Sequence, residues 1–165
     1  MAKGRVVEIV ANRFYVQIQD KIYACYSRGK LKQKESLPVV GDMVEIILPE
    51  KGEESAVMDA LLPRDTYLKR PKLANISQMV LVVSLWDPKP DMLLLDKQLV
   101  FLEYLGIRPV ICLNKIDLDK RNVVEQIEKV YSTIGYPVIQ TNAKQEIRNI
   151  RIEKDTSWKN NWIFW

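Results

Sequence analysis

The chain has no histidine and only two cysteines. A zinc site built from the usual imidazole and thiolate ligands is therefore excluded at the outset. Cys25 and Cys112 sit in separate apolar runs, so two buried free thiols in a reducing compartment are expected rather than a disulfide. Long apolar stretches are missing as well: none approaches the roughly 20 residues that span a bilayer. Met1-Ala2-Lys3-Gly4-Arg5 leads straight into an alternating pattern rather than an apolar signal region, and a cytoplasmic location without membrane attachment is expected. Glycine is scarce, six residues in 165, and is not arranged to cradle phosphates. The one Gly-Lys pair, Gly29-Lys30, has Ala24 where G-x-x-x-x-G-K-[ST] needs its first glycine and Leu31 where it needs a hydroxyl. Asp-X-X-Gly does not occur, so neither a phosphate loop nor its magnesium site is expected among these residues.

What is present has the composition of an ordinary globular protein, 47% apolar and 28% charged. A length of 165 residues holds one ordinary domain or two small ones. The net charge of +4 is unevenly spread. Residues 1–72 carry 13 Lys and Arg against 10 Asp and Glu, whereas residues 73–144 carry 8 of each. Arg28, Lys30, Lys32 and Lys34 fall within seven residues. They read either as a solvated loop or as a contact to a phosphate backbone.

The first sixty residues alternate between apolar and polar in short runs, at 4–10, 13–19, 21–27, 43–48 and 55–61. Five short strands with one long basic connection predict a small closed β-barrel of the OB-fold type. The pattern then changes. Pro63 and Pro71 punctuate a charged stretch, which places a domain boundary at residues 70–71. Residues 79–86 form a continuous apolar run, as in a strand covered on both faces. Leu94, Leu95, Leu99, Leu102 and Leu105 predict a helix over 91–105, closed by Gly106. Residues 109–113 predict a second strand. Val123, Ile127, Val130, Tyr131 and Ile134 predict a helix over 122–134, and 137–141 a third strand. Strand, helix, strand, helix, strand in this order gives a parallel sheet with right-handed crossovers. Ligands of such sheets bind beyond the carboxyl ends of the strands.

Asn114-Lys115-Ile116-Asp117 stands at such an end. A buried Asp117 carboxylate can accept hydrogen bonds from the N1–H and exocyclic amine of guanine. Adenine offers no such donor pair and would leave the carboxylate unpaired. The Asn114 amide can both donate and accept, serving the base edge or tying loops together. The Lys115 stem can lie against the base with its ammonium in water. Beyond the next strand, Thr141-Asn142-Ala143-Lys144 offers a backbone N–H near Ala143 for the guanine O6 and Lys144 as a cover. The motif is short, and its place after one buried strand and beside another gives it weight. Because these residues precede any phosphate loop, they imply a permuted nucleotide-binding domain or a chance match.

Other short motifs resolve the choice. Arg28-Gly29-Lys30, Val40-Gly41-Asp42, Arg70-Pro71, Ala74-Asn75-Ile76-Ser77-Gln78, Leu95-Asp96-Lys97-Gln98-Leu99 and Asn114-Lys115-Ile116-Asp117-Leu118 occur in order. With these spacings, residues 1 to about 144 resemble the ribosome-small-subunit-dependent GTPase A family of circularly permuted bacterial GTPases. The resemblance implies an OB-fold over 1–70 and the first part of a permuted G domain over 71–144. It implies GTP or GDP held at the base by Asn114, Lys115, Asp117, Asn142, Ala143 and Lys144. It also implies the small ribosomal subunit and its ribosomal RNA as partners, met through Arg28, Lys30, Lys32 and Lys34. Asn142 stands where the family usually has serine. The family's phosphate loop, switches, magnesium site and zinc domain have no counterpart in these 165 residues.

Residues 145–165 depart from the pattern, with Trp158, Trp162 and Trp165 in the last eight positions. Read one nucleotide later, codons compatible with this stretch permit a Gly-Ile-X-Glu-Leu helix, Gly-Lys and an apolar strand. An out-of-frame tail is therefore expected. Three functional readings follow: a GTPase of small-subunit maturation, an RNA-binding barrel without turnover, or a truncated remnant without function. The second fits a chain lacking the groups that stabilise phosphoryl transfer.

Overall fold

A computed structural model of the chain describes residues 1–27, 37–49, 55–120, 122–142, 147–148 and 161–164. Two compact units emerge, Met1–Ile76 and Ser77–Trp165.

The first unit contains β1 (Ala2–Val10), β2 (Arg13–Ile18), β3 (Lys21–Ser27), β4 (Met43–Ile47) and β5 (Ala56–Leu61), closed as a barrel in the order β1-β2-β3-β5-β4. Alternation dictates its interior. Val6, Phe14, Val16, Cys25, Val44, Ile46, Ala56 and Met58 point inward as one buried cluster, and their neighbours point out. Closure is made by β1 against β4, antiparallel, and by β3 against β5, the one parallel pair of the barrel. The β1–β2 turn is Ala11-Asn12, with both residues at positive φ, as a two-residue hairpin loop requires. The five-stranded OB-type barrel expected from the strand pattern is thus present.

The unit also holds a hairpin that the strand pattern did not reveal: β6 (Tyr67–Lys69) and β7 (Lys72–Ala74), joined at Arg70-Pro71 through a cis peptide. The boundary expected at 70–71 therefore differs from the division after Ile76. Polar residues tie the hairpin to the barrel. The Asn75 amide donates to the Gly41 carbonyl at 3.1 Å and accepts the Asp65 N–H at 2.8 Å. Arg64 Nε and Nη2 reach the two oxygens of fully buried Asp42 at 2.7 and 2.8 Å, and the Val39 N–H adds a third bond at 2.7 Å. Gly41 has φ +94°, and a Cβ there would lie 1.9 Å from the Ala74 carbonyl oxygen. Only glycine allows the two segments to approach this closely. Val40-Gly41-Asp42 and Ala74-Asn75-Ile76 are thus two sides of one joint.

The second unit is a five-stranded sheet in the order β11-β10-β9-β8-β12. Its strands are β8 (Gln78–Ser84), β9 (Arg108–Asn114), β10 (Val138–Asn142), β11 (Ile147–Arg148) and β12 (Asn161–Phe164). The β8–β9–β10 core is parallel, as expected. β12 adds a parallel strand beside β8, and β11 an antiparallel one beside β10. The crossovers are α1 (Met92–Tyr104) and α2 (Val123–Thr133). Asp91 caps α1 by accepting the Leu94 N–H at 3.0 Å, and Gly106 and Gly135 follow the two helices at positive φ. Leu95, Leu99 and Leu102 of α1 and Ile127 and Tyr131 of α2 are buried. Leu94, Val130 and Ile134, which spacing assigned to the inner faces, are exposed. Each helix meets the sheet along a narrower stripe than its apolar content suggests. No described helix is long and apolar enough to cross a membrane. Both cysteines are buried free thiols.

Candidate functional site

The carboxyl ends of the three parallel strands lie in one row, Ser84 beside Asn114 beside Thr141. At this row β8 and β9 end, and beyond it the Asn-Lys-X-Asp loop forms. Asn114 closes β9 with its carbonyl accepting the Leu85 N–H at 3.1 Å. Its side-chain oxygen accepts the N–H of Lys115 at 2.8 Å and lies 3.3 Å from Thr141 Oγ1. The single Thr141 proton is shared between that oxygen and the Leu113 carbonyl at 3.4 Å. One amide therefore fixes the turn and joins β9 to β10.

Lys115 turns the chain in the left-handed conformation, φ 63° and ψ 39°. Its ammonium donates to the carbonyls of Trp86 and Asp87 at 2.8 and 2.6 Å, both in solvent-exposed hydrogen bonds. The segment after β8 is thereby fastened to the segment after β9. Ser84 Oγ donates to the same Trp86 carbonyl at 2.7 Å.

Asp117 lies in the 3-10 turn Ile116–Leu118. Its side chain is exposed, whereas a buried carboxylate was expected. The turn carries it past the carboxyl end of β9. Asp119 was not singled out from the sequence, and it sets the start of α2. Its two oxygens accept the N–H groups of Val123 and Val124 at 3.0 and 2.9 Å. Asn122, the nominal cap, is left-handed and makes no such bond. The signal lay in a carboxylate placed just ahead of an apolar-periodic run.

Asn142 ends β10, buried, next to the Asn114–Thr141 joint. Ala143 and Lys144 lie outside the described residues, as do Arg28, Lys30, Lys32 and Lys34. Asn114, Lys115, Asp117 and Asn142 are thus gathered at one edge of one sheet. Below them, burial pushes the Cys112 thiol up from its ordinary value, partly offset by its contact with Thr141 at 3.5 Å. A rigid amide, a tethered lysine stem and an open carboxylate are suited to holding the edge and face of a planar heterocycle.

A closed OB-type barrel followed by a parallel sheet with this loop at its carboxyl edge is the architecture of circularly permuted GTPases. Two solved structures share it. One is described as YloQ, a circularly permuted GTPase (TM-score 0.73), and the other as YjeQ from Thermotoga maritima (TM-score 0.75). Each is 30% identical, with 87% of this chain covering 52% of that one. The RsgA N-terminal domain model matches residues 3–57 and the RsgA GTPase model residues 61–161, so the chain belongs to the RsgA GTPase family. The second match runs past residue 144, where the motif resemblance ended, into the stretch read as out of frame. The small ribosomal subunit biogenesis GTPase RsgA of Alkaliphilus metalliredigens is 38% identical over 154 residues, 93% of this chain and 53% of that protein. Its counterpart from Caldanaerobacter subterraneus is also 38% identical, over 86% of this chain and 47% of that protein. The chain spans about half the length of these relatives.

Proposed function

We propose that this chain recognises guanine nucleotides through Asn114, Lys115 and Asp117, completed by Asn142, Ala143 and Lys144, and that it acts at the small ribosomal subunit. The observation that carries the first part is the loop at the carboxyl end of β9. There the Asn114 oxygen and the Lys115 ammonium are committed to holding the loop, and the Asp117 carboxylate is left for a ligand. A guanine N1–H and amine would give that carboxylate two charge-assisted hydrogen bonds, each worth about 1.5–3 kcal/mol. Adenine would give none. The ribosomal part is supported by family membership and by the basic run Arg28, Lys30, Lys32 and Lys34 in the barrel sequence. Contact with ribosomal RNA through that run is largely electrostatic and weakens with salt.

In this reading the 165-residue polypeptide binds and does not turn over. Phosphoryl transfer needs a cradle of backbone N–H groups and cations on the phosphates, and these residues contain no G-x-x-x-x-G-K-[ST] segment. Calorimetry with GDP and GTP, and ATP as control, tests the base site without assuming catalysis. Guanine nucleotides are expected to bind and ATP not to bind. Asp117→Ala is expected to weaken GDP at least tenfold, as loss of a charge-assisted bond requires. Equal affinity for GDP and ATP would sink the assignment, and phosphate release stimulated by small subunits would overturn the claim of no turnover.

A further inference from the structure

The outer surface of the barrel carries an aromatic and cationic cluster that neither the base-recognition loop nor the basic run 28–34 uses. Register sets Val10 of β1 opposite Arg13 of β2. Phe14 pairs with Cys25, so one step further along the same ladder brings Arg13 beside Tyr26 of β3, which pairs with Val57 of β5. Because Phe14, Val16 and Cys25 fill the interior, Arg13, Tyr15 and Tyr26 project outward. The Arg13 guanidinium carbon lies 5.3 Å from the centre of the Tyr26 ring. Tyr26 is 43% exposed, Val10 is 47% exposed, and Arg13 is also open to solvent.

An exposed cation–π pair contributes only about 0.5–1 kcal/mol to a fold, but it orders both partners. Two flat groups are thus held beside one another on a rigid sheet before anything binds. A phosphate can take hydrogen bonds from the guanidinium and the phenol hydroxyl, but it has no use for the ring face. Unpaired bases, by contrast, stack on both aromatic rings and guanidinium planes. Bases inside a duplex are already stacked and cannot use such a surface.

We propose that Arg13 and Tyr26, flanked by Tyr15, form a stacking platform for an unpaired RNA base on the outer face of β1, β2 and β3. This rests on the reading of the barrel as RNA-binding and adds to it a preference for single-stranded over duplex RNA. The test uses the full chain, fluorescence anisotropy, a mixed-sequence single strand of about 12 nucleotides (within the span that OB barrels cover) and a duplex of equal length. Tyr26→Leu is expected to weaken the single strand about tenfold, leave the duplex within about twofold, and leave the salt slope unchanged, because no phosphate contact is lost. Tyr26→Phe should keep single-strand affinity within about twofold, and Arg13→Gln should reproduce the loss. Circular dichroism checks that each variant is folded. Equal single-strand affinity for wild type and Tyr26→Leu would overturn the platform while leaving electrostatic RNA binding intact. Failure of the wild-type chain to bind either RNA would overturn both. Weaker binding of Tyr26→Leu to small subunits with unchanged oligonucleotide affinity would replace the base with a protein contact.

Discussion

Replacing Arg64 with methionine tests the joint that holds the hairpin to the barrel. Asp42 is fully buried and takes two guanidinium bonds at 2.7 and 2.8 Å, with the Val39 N–H as a third donor among the described residues. Methionine keeps most of the apolar stem and removes the cation, so a charged carboxylate is left inside with one partner. Breaking a buried pair from one side costs about 3–5 kcal/mol. A unit of 76 residues, Met1–Ile76, has a total stability of about 4–11 kcal/mol at ordinary values per residue. Arg64→Met is therefore expected to remove much of the barrel unit's stability. At about 4–8 °C per kcal/mol for a domain of this size, its melting midpoint should fall by at least about 12 °C. Thermal unfolding followed by far-ultraviolet circular dichroism reads this directly. The double variant Asp42→Leu with Arg64→Met should recover a large part of the loss, because no charge is then left unpaired. A drop of less than about 4 °C for Arg64→Met would refute the reasoning, and so would a double variant no better than the single.

Three further outcomes are expected. Asp119→Ala should cost about 1 kcal/mol by removing the cap of α2, with faster hydrogen exchange at the Val123 and Val124 amides; unchanged exchange there would refute it. The Cys25 thiol is pushed by burial from its ordinary value of 9.0 up to about 11. The folded state thus keeps a proton that the unfolded chain releases above about pH 9, and stability should decline between pH 9 and 11. Cys25→Ala should flatten that decline in denaturant titrations, and an unchanged slope would argue against it. For residues 145–165 the out-of-frame reading requires that the gene encode a G-x-x-x-x-G-K-[ST] segment soon downstream in the shifted frame. The family match to residue 161 weighs against a break as early as residue 144, and a gene sequence without that segment would end the idea.

The amino-acid sequence by itself determined the five barrel strands and the order β8–α1–β9–α2–β10, because periodicity and punctuation are local. Alternation at 13–19 and 21–27 dictates which side chains fill the barrel, and the apolar run after residue 78 reads as a covered strand. The sequence also picked out Asn114, Lys115 and Asp117, since their types and spacing state a chemistry. Tertiary structure decided what depends on distant partners. Pro63 and Pro71 looked like the punctuation of a domain boundary, yet Arg64 between them is paired with Asp42, 22 residues earlier, and the Asp65 N–H is taken by the Asn75 amide oxygen. The type of Lys115 placed its ammonium in water, and the parallel register adds two exposed bonds to carbonyls 28 and 29 residues earlier that the sequence did not announce. Asp117 looked buried, yet a 3-10 turn sets it in the open. Residue types announce which groups can bond, but the fold alone determines which of those bonds are already made and which are left for a ligand.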